Sequence, residues 1–377
     1  MSRFTILRTH RRSIEAPARS ARSAVVTIPV RNEEENIVRC LDALAEVDCS
    51  RVDLAGVILA LNGCTDDTWG AAKAWGHGHS LPLFLAEIAL APALDHAGGA
   101  RANALSLALR FLGRGDGGIV LTTDADSRPR RDWLTRSMAT LHEEVDVVAG
   151  SVMLEPACPA WPLALQWRHD LESEYSRLLD EIDTRCDPVT HNPWPAHRLC
   201  SGANLAFRAA ALNSLPEIPA PRYGEDRAIV EACHARDLRV RHDPELIVDT
   251  SARLDGRAFG GMADTLRRRM GQPGMPCDPL LEPCAQHVYR AGMRAAARQA
   301  FASGMSAATL GRAIGIPLLR ANGTACHHFG EAWQQLERAA PSLKRSTMLP
   351  HDLAWEIGEA RAWLADRGAG WTKGEAA

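Results

Sequence analysis

The sequence predicts an α/β protein with a doubly wound, mostly parallel sheet that is flanked by helices and followed by a helical C-terminal region. Short runs rich in Val, Ile and Leu alternate with segments in which apolar residues recur every three or four positions, and such alternation indicates repeated strand and helix units. Polar clusters follow directly after several of the apolar runs, as expected where parallel strands end at a ligand-binding crevice.

Composition and charge exclude several other classes of protein. Of the 377 residues, 46% are hydrophobic and 24% are charged, which is ordinary for a globular chain and unlike a disordered or fibrous one. A net charge of -3 argues against a nucleic-acid partner. No apolar run reaches the roughly 18 residues of a membrane span. The ten cysteines include no C-x-x-C pair, so we expect reduced thiols and a cytoplasmic location.

The first strand is predicted over residues 24–30, after a basic tail at residues 1–22 that is expected to be solvated. A helix follows this strand, with apolar residues at Ile37, Leu41 and Leu44. Asn32 is predicted to cap this helix, and Glu35 completes a capping box with it.

The alternation continues as far as residue 152. Further strands are predicted at residues 57–61, 83–88, 119–123 and 145–152, and further helices from residue 66, at 100–112 and near 133–141. Polar clusters stand after three of the strands, at residues 31–33, 62–67 and 124–126. Because parallel strands end at the same edge of a sheet, we expect these clusters to share one rim.

The segment from residue 156 to residue 221 is Pro- and Trp-rich and is interpreted as an insertion that shapes a substrate site around a helix at 163–182. Regular elements then return, with a helix at 225–235, strands within 240–248, a helix at 262–270, a linker at 271–283 and a helical tail at 288–367. We therefore divide the chain into a basic tail at 1–22, a main domain at 23–270, and a linker with a helical region at 271–377.

Asp124-Ala125-Asp126 is the most informative short segment, because it follows an apolar strand directly. Two carboxylates one residue apart at a strand end can hold a hard divalent cation that bridges to substrate phosphates. The alternative is a capped turn, in which the Asp side chains accept hydrogen bonds from backbone N–H groups. The D-x-D pattern alone leaves both interpretations open.

Six segments, taken in order, resemble the family 2 glycosyltransferases of the GT-A fold, and they extend over about residues 23–270. The first three correspond to that family's P-x-x-N-E motif at 27–34, its N-x-S/C-x-D-x-T turn at 62–68 and its G-x-A-x-A-x-N segment at 98–104. The other three correspond to its D-x-D at 124–126, its G-x-N-x-x-x-R segment at 202–208 and its E-D pair at 224–226. Each pattern alone is weak, whereas six in this order strongly indicate the family.

The resemblance implies a metal-dependent, inverting, non-processive transferase that moves one sugar from a nucleotide-diphosphate sugar to an acceptor hydroxyl. It implies that Asp226 is the general base, with Glu225 either orienting the acceptor or serving its helix N-terminus, and that Asp126 and Asp124 hold Mn²⁺ or Mg²⁺. The implied nucleotide-sugar-binding residues are Pro29, Val30, Arg31, Asn32, Glu33, Asn62, Asp66, Arg101, Asn103, Asp124 and Ala125. Gly202 and Asn204 are implied to lie on the acceptor side.

This chain departs from the family pattern at two places. Thr250 and Ser251 occupy the stretch where many relatives have a metal-binding His, and His242 is the nearest His. The Q-x-x-R-W motif of processive relatives is absent, which favours transfer of a single sugar. Arg253 and Arg257 are interpreted either as a phosphate clamp or as a solvated basic face.

Two other functions are compatible with parts of the sequence. An aspartyl-nucleophile phosphohydrolase also has D-x-D after an apolar strand, but it prefers Thr or Val where this chain has Arg128. A catalytically weak nucleotide-sugar-binding or scaffold protein would account for the missing His and the long helical tail. For the transferase, the expected partners are the donor and a small-molecule or lipid-linked acceptor, and the C-terminal helices could form a homodimer contact.

Overall fold

The computed structural model describes residues 4–11, 23–113, 117–141, 144–155, 161–253, 261–305, 309, 311 and 326–368. The strands are β1 (Phe4–Arg11), β2 (Ser23–Val30), β3 (Asp53–Asn62), β4 (Leu83–Leu90), β5 (Ile119–Thr122), β6 (Ser127–Pro129), β7 (Val147–Leu154), β8 (Leu205–Arg208) and β9 (Val240–Thr250). The helices are α1 (Ile37–Ala45), α2 (Thr68–Gly78), α3 (Ala97–Leu112), α4 (Trp133–Thr140), α5 (Leu163–Cys186), α6 (Ala209–Ser214), α7 (Glu225–Ala235), α8 (Met262–Gly271), α9 (Cys284–Ala302), α10 (Phe329–Ala339) and α11 (Leu353–Gly368).

Within the described ranges, the strands form one nine-stranded sheet in the order β1-β4-β3-β2-β5-β8-β7-β9-β6. β2 is parallel to β3 and β5, β3 is parallel to β4, and β7 is parallel to β9. β8 is antiparallel to both β5 and β7, so β5 and β7 run in the same direction. Six of the nine strands therefore share one direction, and the predicted α/β class with a mostly parallel sheet and C-terminal helices is confirmed.

Successive residues of β2 belong to two apolar cores, one on each face of the sheet. Val26 and Ile28 are buried with Ile37 of α1, whereas Val25 is buried with Leu105 of α3. Side chains alternate between the two faces of a strand, so a strand covered on both faces is apolar along its whole length. Burial on both faces explains why β2 is mostly apolar. The strand ends at Val30, and the first polar cluster begins at the next residue.

Residues Phe4–Arg11, which were predicted to lie in a solvated tail, instead form the edge strand β1 of the sheet. β1 pairs antiparallel with β4, Phe4 is buried in the core beside α3, and Arg8 forms an ion pair with Glu87 of β4. An edge strand is held largely by backbone hydrogen bonds to one neighbour and needs little apolar surface. Because β1 contains several basic residues, its sequence pattern did not predict a strand. The remainder of the predicted tail, residues 12–22, lies outside the described residues.

The capping prediction for α1 was wrong. α1 begins at Ile37, and its N-cap residue is Asn36, whose side chain makes no capping hydrogen bond. Asn32 has a φ of +55°, in the left-handed region that Asn tolerates better than most residues. Its Oδ1 accepts a hydrogen bond from the backbone N–H of Thr65 at 2.7 Å. Asn32 therefore ties the first polar cluster to the second instead of capping the helix.

The short strand β8 lies within the segment that was predicted to be irregular. It is inserted between β5 and β7 and is antiparallel to both. A run of four residues is too short to show a strand period, so the sequence pattern did not reveal it. Its position matters for the site, because Gly202 and Asn204 lie directly before it.

The chain divides into two compact units. The first comprises residues 1–158, 199–234 and 238–265, and it contains the sheet. The second comprises residues 159–198, 235–237 and 266–377, and in it Tyr175 and Leu179 of α5 are buried with Leu353 and Ile357 of α11. None of the helices in the part of the chain that the structure describes is long and apolar enough to cross a membrane.

A buried charge cluster in the second unit makes its stability acid-sensitive. Glu282 is fully buried, and its Oε1 lies 2.8 Å from Nδ1 of His287 and 2.9 Å from Nε of Arg290. Burial raises the pKa of Glu282, but hydrogen bonds with His287 and Arg290 outweigh that effect and lower the pKa to about 2 from 4.5. Because the folded pKa lies below the unfolded value, this stabilisation is complete above pH 4.5 and is lost as the pH falls through about 2.

Replacing Glu282 with Gln is expected to lower the free energy of unfolding at pH 7 by about 3 kcal/mol, the equivalent of a pKa shift of this size. Urea denaturation at pH 7 and at pH 3 measures the effect, which should be smaller at pH 3. Glu359→Gln on the exposed face of α11 is the control. Equal stabilities of the wild type and Glu282→Gln at pH 7 would contradict the assignment.

Candidate functional site

Three neighbouring strands of the first unit carry the polar clusters at their carboxyl ends. β2 lies between β3 and β5 in the sheet, and it ends at Pro29 and Val30 in register with Ala60 and Leu61 of β3. The side chain of Val30 is buried, so Pro29 and Val30 form the strand end rather than an exposed side-chain surface. The rim predicted from the sequence is therefore present, with Arg31, Asn62 and Asp124 as its first polar residues.

Arg31 and Asn62 converge on Asp95, which precedes α3. Nη1 of Arg31 lies 3.0 Å from Oδ1 of Asp95, and Nδ2 of Asn62 donates to the same oxygen at 2.9 Å. The Arg31 and Asp95 side chains are about half exposed, whereas Asn62 is buried. Asn62 therefore orients Asp95, and the Arg31 side chain stays partly exposed at the rim.

Asp66 joins the second cluster to the first. Its Oδ2 accepts a hydrogen bond from the backbone N–H of Glu34 at 3.1 Å, and its Oδ1 accepts one from Oγ1 of Thr68 at 2.5 Å. Burial raises the pKa of Asp66, but the hydrogen bonds from Thr68 and from the Glu34 backbone outweigh it and hold the pKa below its usual value. Asp66 is therefore a fixed, ionised acceptor at the edge of the rim.

Glu33 and Asp126 are linked by Arg253. Nη1 of Arg253 donates to Oε2 of Glu33 at 2.8 Å, and Nη2 contacts both Oε1 of Glu33 and Oδ2 of Asp126, the latter at 3.0 Å. Glu33 is almost fully buried, and the Arg253 side chain is 22% exposed. Arg253 is thus part of the site and not a solvated basic face. Arg257, its predicted companion, lies outside the described residues.

Asp126 is the most strongly perturbed carboxylate of the D-x-D segment. Burial, followed by repulsion from Asp124 and then from Glu33, raises its pKa to about 7, and Arg253 offsets only part of this. Thr250 and Ser251 lie beside the same segment, since the backbone N–H of Ser251 donates to the carbonyl of Asp126 at 3.3 Å. The uncompensated negative charge marks this position as one that favours a cation.

Arg101 was expected to bind the nucleotide sugar, but its guanidinium is buried between the D-x-D segment and the E-D pair. Nη2 donates to Oδ1 of Asp124 at 2.5 Å, and Nη1 donates to Oγ1 of Thr122 and to the carbonyl of Gly202, both at 2.9 Å. Nε lies 3.4 Å from Oε1 of Glu225. Burial alone would lower the pKa of Arg101, but Asp124 and Glu225 raise it above its ordinary value. One cation therefore holds both carboxylate groups in place.

Gly202 makes room for that guanidinium. A Cβ atom at Gly202 would lie 2.1 Å from Cζ of Arg101, which is closer than any side chain permits. At the start of α3, a Cβ atom at Gly98 would lie 1.9 Å from the carbonyl oxygen of Pro221. Glycine at position 202 thus leaves room for the Arg101 guanidinium beside the loop before β8, and glycine at position 98 lets α3 approach the loop before α7.

Asp226 lies at the start of α7, beside Glu225. Its Oδ2 accepts a hydrogen bond from the backbone N–H of Gly202 at 3.2 Å, and its Oδ1 accepts one from the N–H of Arg227 at 2.7 Å. Burial and the neighbouring Glu225 raise the pKa of Asp226, and these two hydrogen bonds and Arg101 limit the rise. A carboxylate with a raised pKa is a better proton acceptor near neutral pH, which is what a general base requires.

Two of the predicted site residues, Asn103 and Asn204, are buried instead of facing the rim. Asn103 is 1% exposed, and its Nδ2 donates to the carbonyl of Gly99 at 2.6 Å. Asn204 is fully buried. Its Nδ2 donates to the carbonyls of Ser151 and Leu246, and its Oδ1 accepts from Nε1 of Trp133 at 2.9 Å. Asn204 therefore joins the segment before β8 to β7 and β9.

Replacing Asn204 with Ala is expected to lower the free energy of unfolding by about 2–4 kcal/mol, because two buried carbonyls and one indole N–H lose their partner. Urea denaturation measures this change. Asn213→Ala, at an exposed position of α6, is the control and should change stability by less than about 0.5 kcal/mol. A change of that small size in Asn204→Ala would show that Asn204 does not hold the strands together.

The carboxylates of the D-x-D segment fit a hard divalent cation, which prefers oxygen ligands. The Asp124 side chain is 35% exposed and that of Asp126 is 18% exposed, so oxygen atoms of both border the rim, while Ala125 between them is buried. Within the described ranges, no group of three or more His, Cys, Asp or Glu side chains is arranged to hold a metal ion. Asp124 and Asp126 are therefore two carboxylates that could contribute oxygen ligands to such a cation.

Sequence reasoning missed Asp95 and Thr122 as members of the site. Asp95 accepts hydrogen bonds from the Arg31 and Asn62 side chains, and Thr122 accepts from Arg101 at the end of β5. Thr122 could have been found, because it ends an apolar strand two residues before Asp124. For Asp95 the sequence offers only its position close to α3, which is a weak signal.

Residues 25–191 match the family model described as Glycosyl transferase family 2. No curated protein matches the sequence.

Several solved structures resemble this chain. The mannosyltransferase PcManGT from Pyrobaculum calidifontis, in complex with GDP-Man and Mn²⁺, is 20% identical, with a TM-score of 0.45, over 93% of this chain and 76% of that chain. S. aureus TarS 1-349 in complex with UDP-GlcNAc is 16% identical, with a TM-score of 0.42, over 94% and 93%.

Two further solved structures match over a smaller share of this chain. Glucosyl-3-phosphoglycerate synthase from Mycobacterium tuberculosis, in complex with Mn²⁺, UDP and phosphoglyceric acid, is 18% identical, with a TM-score of 0.39, over 68% of this chain and 81% of that chain. S. aureus TarS is 16% identical, with a TM-score of 0.40, over 61% of this chain. The match spans 37% of the TarS chain, well under half of its length.

Proposed function

We propose that this chain, whose residues 25–191 match the Glycosyl transferase family 2 model, is a glycosyltransferase that moves one sugar from a nucleotide-diphosphate sugar to an acceptor hydroxyl with inversion. The observation that carries this proposal is the position of Arg101, whose guanidinium contacts Asp124 of the D-x-D segment and Glu225 of the E-D pair. A single displacement needs a base for the acceptor hydroxyl and stabilisation of the departing diphosphate, and Arg101 holds together the two carboxylate groups that are proposed to supply them.

The donor nucleotide is proposed to bind along the rim formed by the ends of β2 and β3. Asp66 is held in place by Thr68 and by the Glu34 backbone, and its oxygens have further lone pairs for a ring N–H of the base. Arg31 leaves part of its guanidinium exposed beside Asp95 and can bind a phosphate oxygen. Because Arg101 is buried against Asp124, it acts in this proposal by positioning that carboxylate and not by direct contact with diphosphate.

Asp124 and Asp126 are proposed to hold Mn²⁺ or Mg²⁺. When bound, such a cation supplies Lewis-acid stabilisation to the departing nucleoside diphosphate. The support for it is the raised pKa of Asp126, which burial, Asp124 and Glu33 produce together, because a positive charge at this position relieves that repulsion.

Asp226 is proposed to take the proton from the acceptor hydroxyl as the hydroxyl oxygen attacks the anomeric carbon. The backbone N–H of Gly202 holds Oδ2 of Asp226 at 3.2 Å, and burial keeps the pKa of the carboxyl above its usual value, which favours proton transfer near neutral pH. A single base with no second nucleophile gives one displacement, and one displacement inverts the anomeric configuration. The absent Q-x-x-R-W motif supports transfer of one sugar without processive synthesis.

We propose a cytoplasmic location and a homodimer through the C-terminal helices. No disulfide joins any two of the cysteines in the part of the chain that the structure describes, which supports a reducing compartment. On α11, Trp355 is 71% exposed, and an exposed aromatic side chain of this size supports a protein contact there. Analytical ultracentrifugation of the wild type and of Trp355→Ala tests the dimer, which the variant should weaken.

A thermal-shift panel of nucleoside diphosphates, each with and without Mn²⁺ or Mg²⁺, tests the proposed function. Ligand at 100 times its Kd stabilises the native state by about 2.7 kcal/mol, so the donor nucleotide should raise Tm by several degrees, and more so with the metal. A nucleoside without phosphate is the control. If no nucleoside diphosphate shifts Tm with either metal, the nucleotide-sugar proposal is contradicted.

A further inference from the structure

We propose that Arg253 is an internal counter-charge of the D-x-D segment, which competes with the divalent cation for Asp126 and which binds the donor diphosphate once it has left that carboxylate. This inference rests on the proposed function, because it concerns the same cation and the same donor. It assigns to Arg253 a role that a static ion pair would not have.

The guanidinium of Arg253 contacts two carboxylates, and we infer that it keeps its contact with Glu33 and can release its contact with Asp126. Nη1 and Nη2 both reach the Glu33 carboxylate, with Nη1 at 2.8 Å from Oε2. Nη2 also lies 3.0 Å from Oδ2 of Asp126. Glu33 is itself fixed, since it is 5% exposed and its Oε2 accepts from Nδ2 of Asn36 at 2.8 Å.

The same Asp126 oxygen cannot serve a guanidinium and a divalent cation equally well. A Mg²⁺ ion binds carboxylate oxygen at about 2.0–2.1 Å, so a cation on Asp126 would stand within a few ångströms of the Nη2 atom of Arg253. Two positive charges at that separation repel strongly in a partly buried site. Cation binding therefore favours a turn of the Arg253 guanidinium away from Asp126, with Glu33 as the pivot.

An arginine displaced in this way is well suited to a diphosphate. Its planar guanidinium presents five donors and can bind phosphate oxygens in a bidentate manner. The Arg253 side chain is 22% exposed, so it borders the open side of the site. The cation and the donor would thus bind cooperatively, because each favours the position of Arg253 that suits the other.

The test measures Mn²⁺ binding in the absence of donor, by electron paramagnetic resonance, in the wild type, Arg253→Met and Arg253→Lys. Arg253→Met should bind Mn²⁺ at least ten times more tightly than the wild type, and Arg253→Lys, which keeps the positive charge, should stay close to the wild type. The matched control is Arg130→Met, because Arg130 also pairs with a carboxylate, Asp249, through two hydrogen bonds of 3.0 Å. If Arg253 only stabilises the fold, Arg253→Met will bind Mn²⁺ no more tightly than the wild type, and the proposal is overturned.

Calorimetry with UDP and with GDP at saturating Mn²⁺ is the second arm. Arg253→Met should bind the preferred nucleoside diphosphate at least ten times more weakly than the wild type and Arg130→Met. Unchanged affinity would overturn the diphosphate role of Arg253, even if the wild type binds both ligands as the proposed function requires. The absence of nucleoside diphosphate binding in the wild type would instead contradict the proposed function, so the two failures are distinguishable.

Discussion

Replacing Asp226 with Asn is expected to lower kcat for sugar transfer by about 10²–10⁴-fold, the usual contribution of a general base. Asn keeps the shape of the side chain and an oxygen that can accept from the Gly202 backbone N–H, which lies 3.2 Å from Oδ2 in the wild type. It cannot take a proton from the acceptor hydroxyl. Initial rates of transfer at saturating donor measure the loss, and nucleotide binding should remain.

The pH profile adds a second test of Asp226. Since burial and Glu225 raise the pKa of Asp226, the acid limb of kcat/KM, measured at saturating Mn²⁺ so that Asp126 stays ionised, should lie at higher pH than an unperturbed Asp would give. Activity should rise with pH through that limb, because only the ionised carboxylate accepts a proton. Glu231→Gln, at an exposed position of the same helix, is the control and should keep both the rate and the limb. Retention of the wild-type rate in Asp226→Asn would exclude the residue as the base.

Arg101→Met is expected to lower the free energy of unfolding by about 3–5 kcal/mol, since removing one partner of a buried ion pair leaves uncompensated charge. The guanidinium is 7% exposed and contacts the carboxylates of both Asp124 and Glu225. Its loss also frees the carbonyl of Gly202, which accepts from Nη1 at 2.9 Å. Urea denaturation measures the stability, and transfer activity should fall even in the fraction that remains folded.

The matched variant Arg101→Lys separates charge from geometry. Lys keeps the positive charge but cannot reach four acceptors with one ammonium group, so stability should recover in part while activity stays low. Arg110→Met, at an exposed position of the same helix, is the control and should change stability by less than about 1 kcal/mol. If Arg101→Met is as stable and active as the control, Arg101 does not join the two carboxylate groups.

The arrangement of strands could be predicted because burial on both faces leaves a strong local signal. β2 and β5 read as mostly apolar runs, and the polar clusters of the rim begin within three residues of the last apolar residue of each run. Asp124 and Asp126 could be located in the same way, since they follow β5 directly. What could be predicted was therefore the position of each cluster along the chain and the edge of the sheet that it occupies.

The partners of the rim residues could not be predicted, because they come from distant parts of the chain. Glu33 meets Arg253 across 220 residues, and Arg101 meets Glu225 across 124. No periodic pattern encodes such contacts, and the family resemblance implied that Arg101 binds the nucleotide sugar, whereas the structure buries it. Asn32 is another residue whose partner could not be predicted. It resembles a helix cap in the sequence, but its backbone is left-handed and its side chain binds the backbone N–H of Thr65 in the second polar cluster.

The central claim is that the D-x-D segment binds the cation and donor on which transfer depends. It is tested most directly by the release of nucleoside diphosphate from the nucleotide sugar, with Mn²⁺ and acceptor, in the wild type and in Asp126→Asn. The assay is made at pH 8, because the pKa of Asp126 is raised to about 7 and the carboxylate must be ionised. We expect Asp126→Asn to release product at least about 100-fold more slowly, equivalent to about 2.7 kcal/mol, with its fold intact. Equal rates in the two proteins would contradict the account.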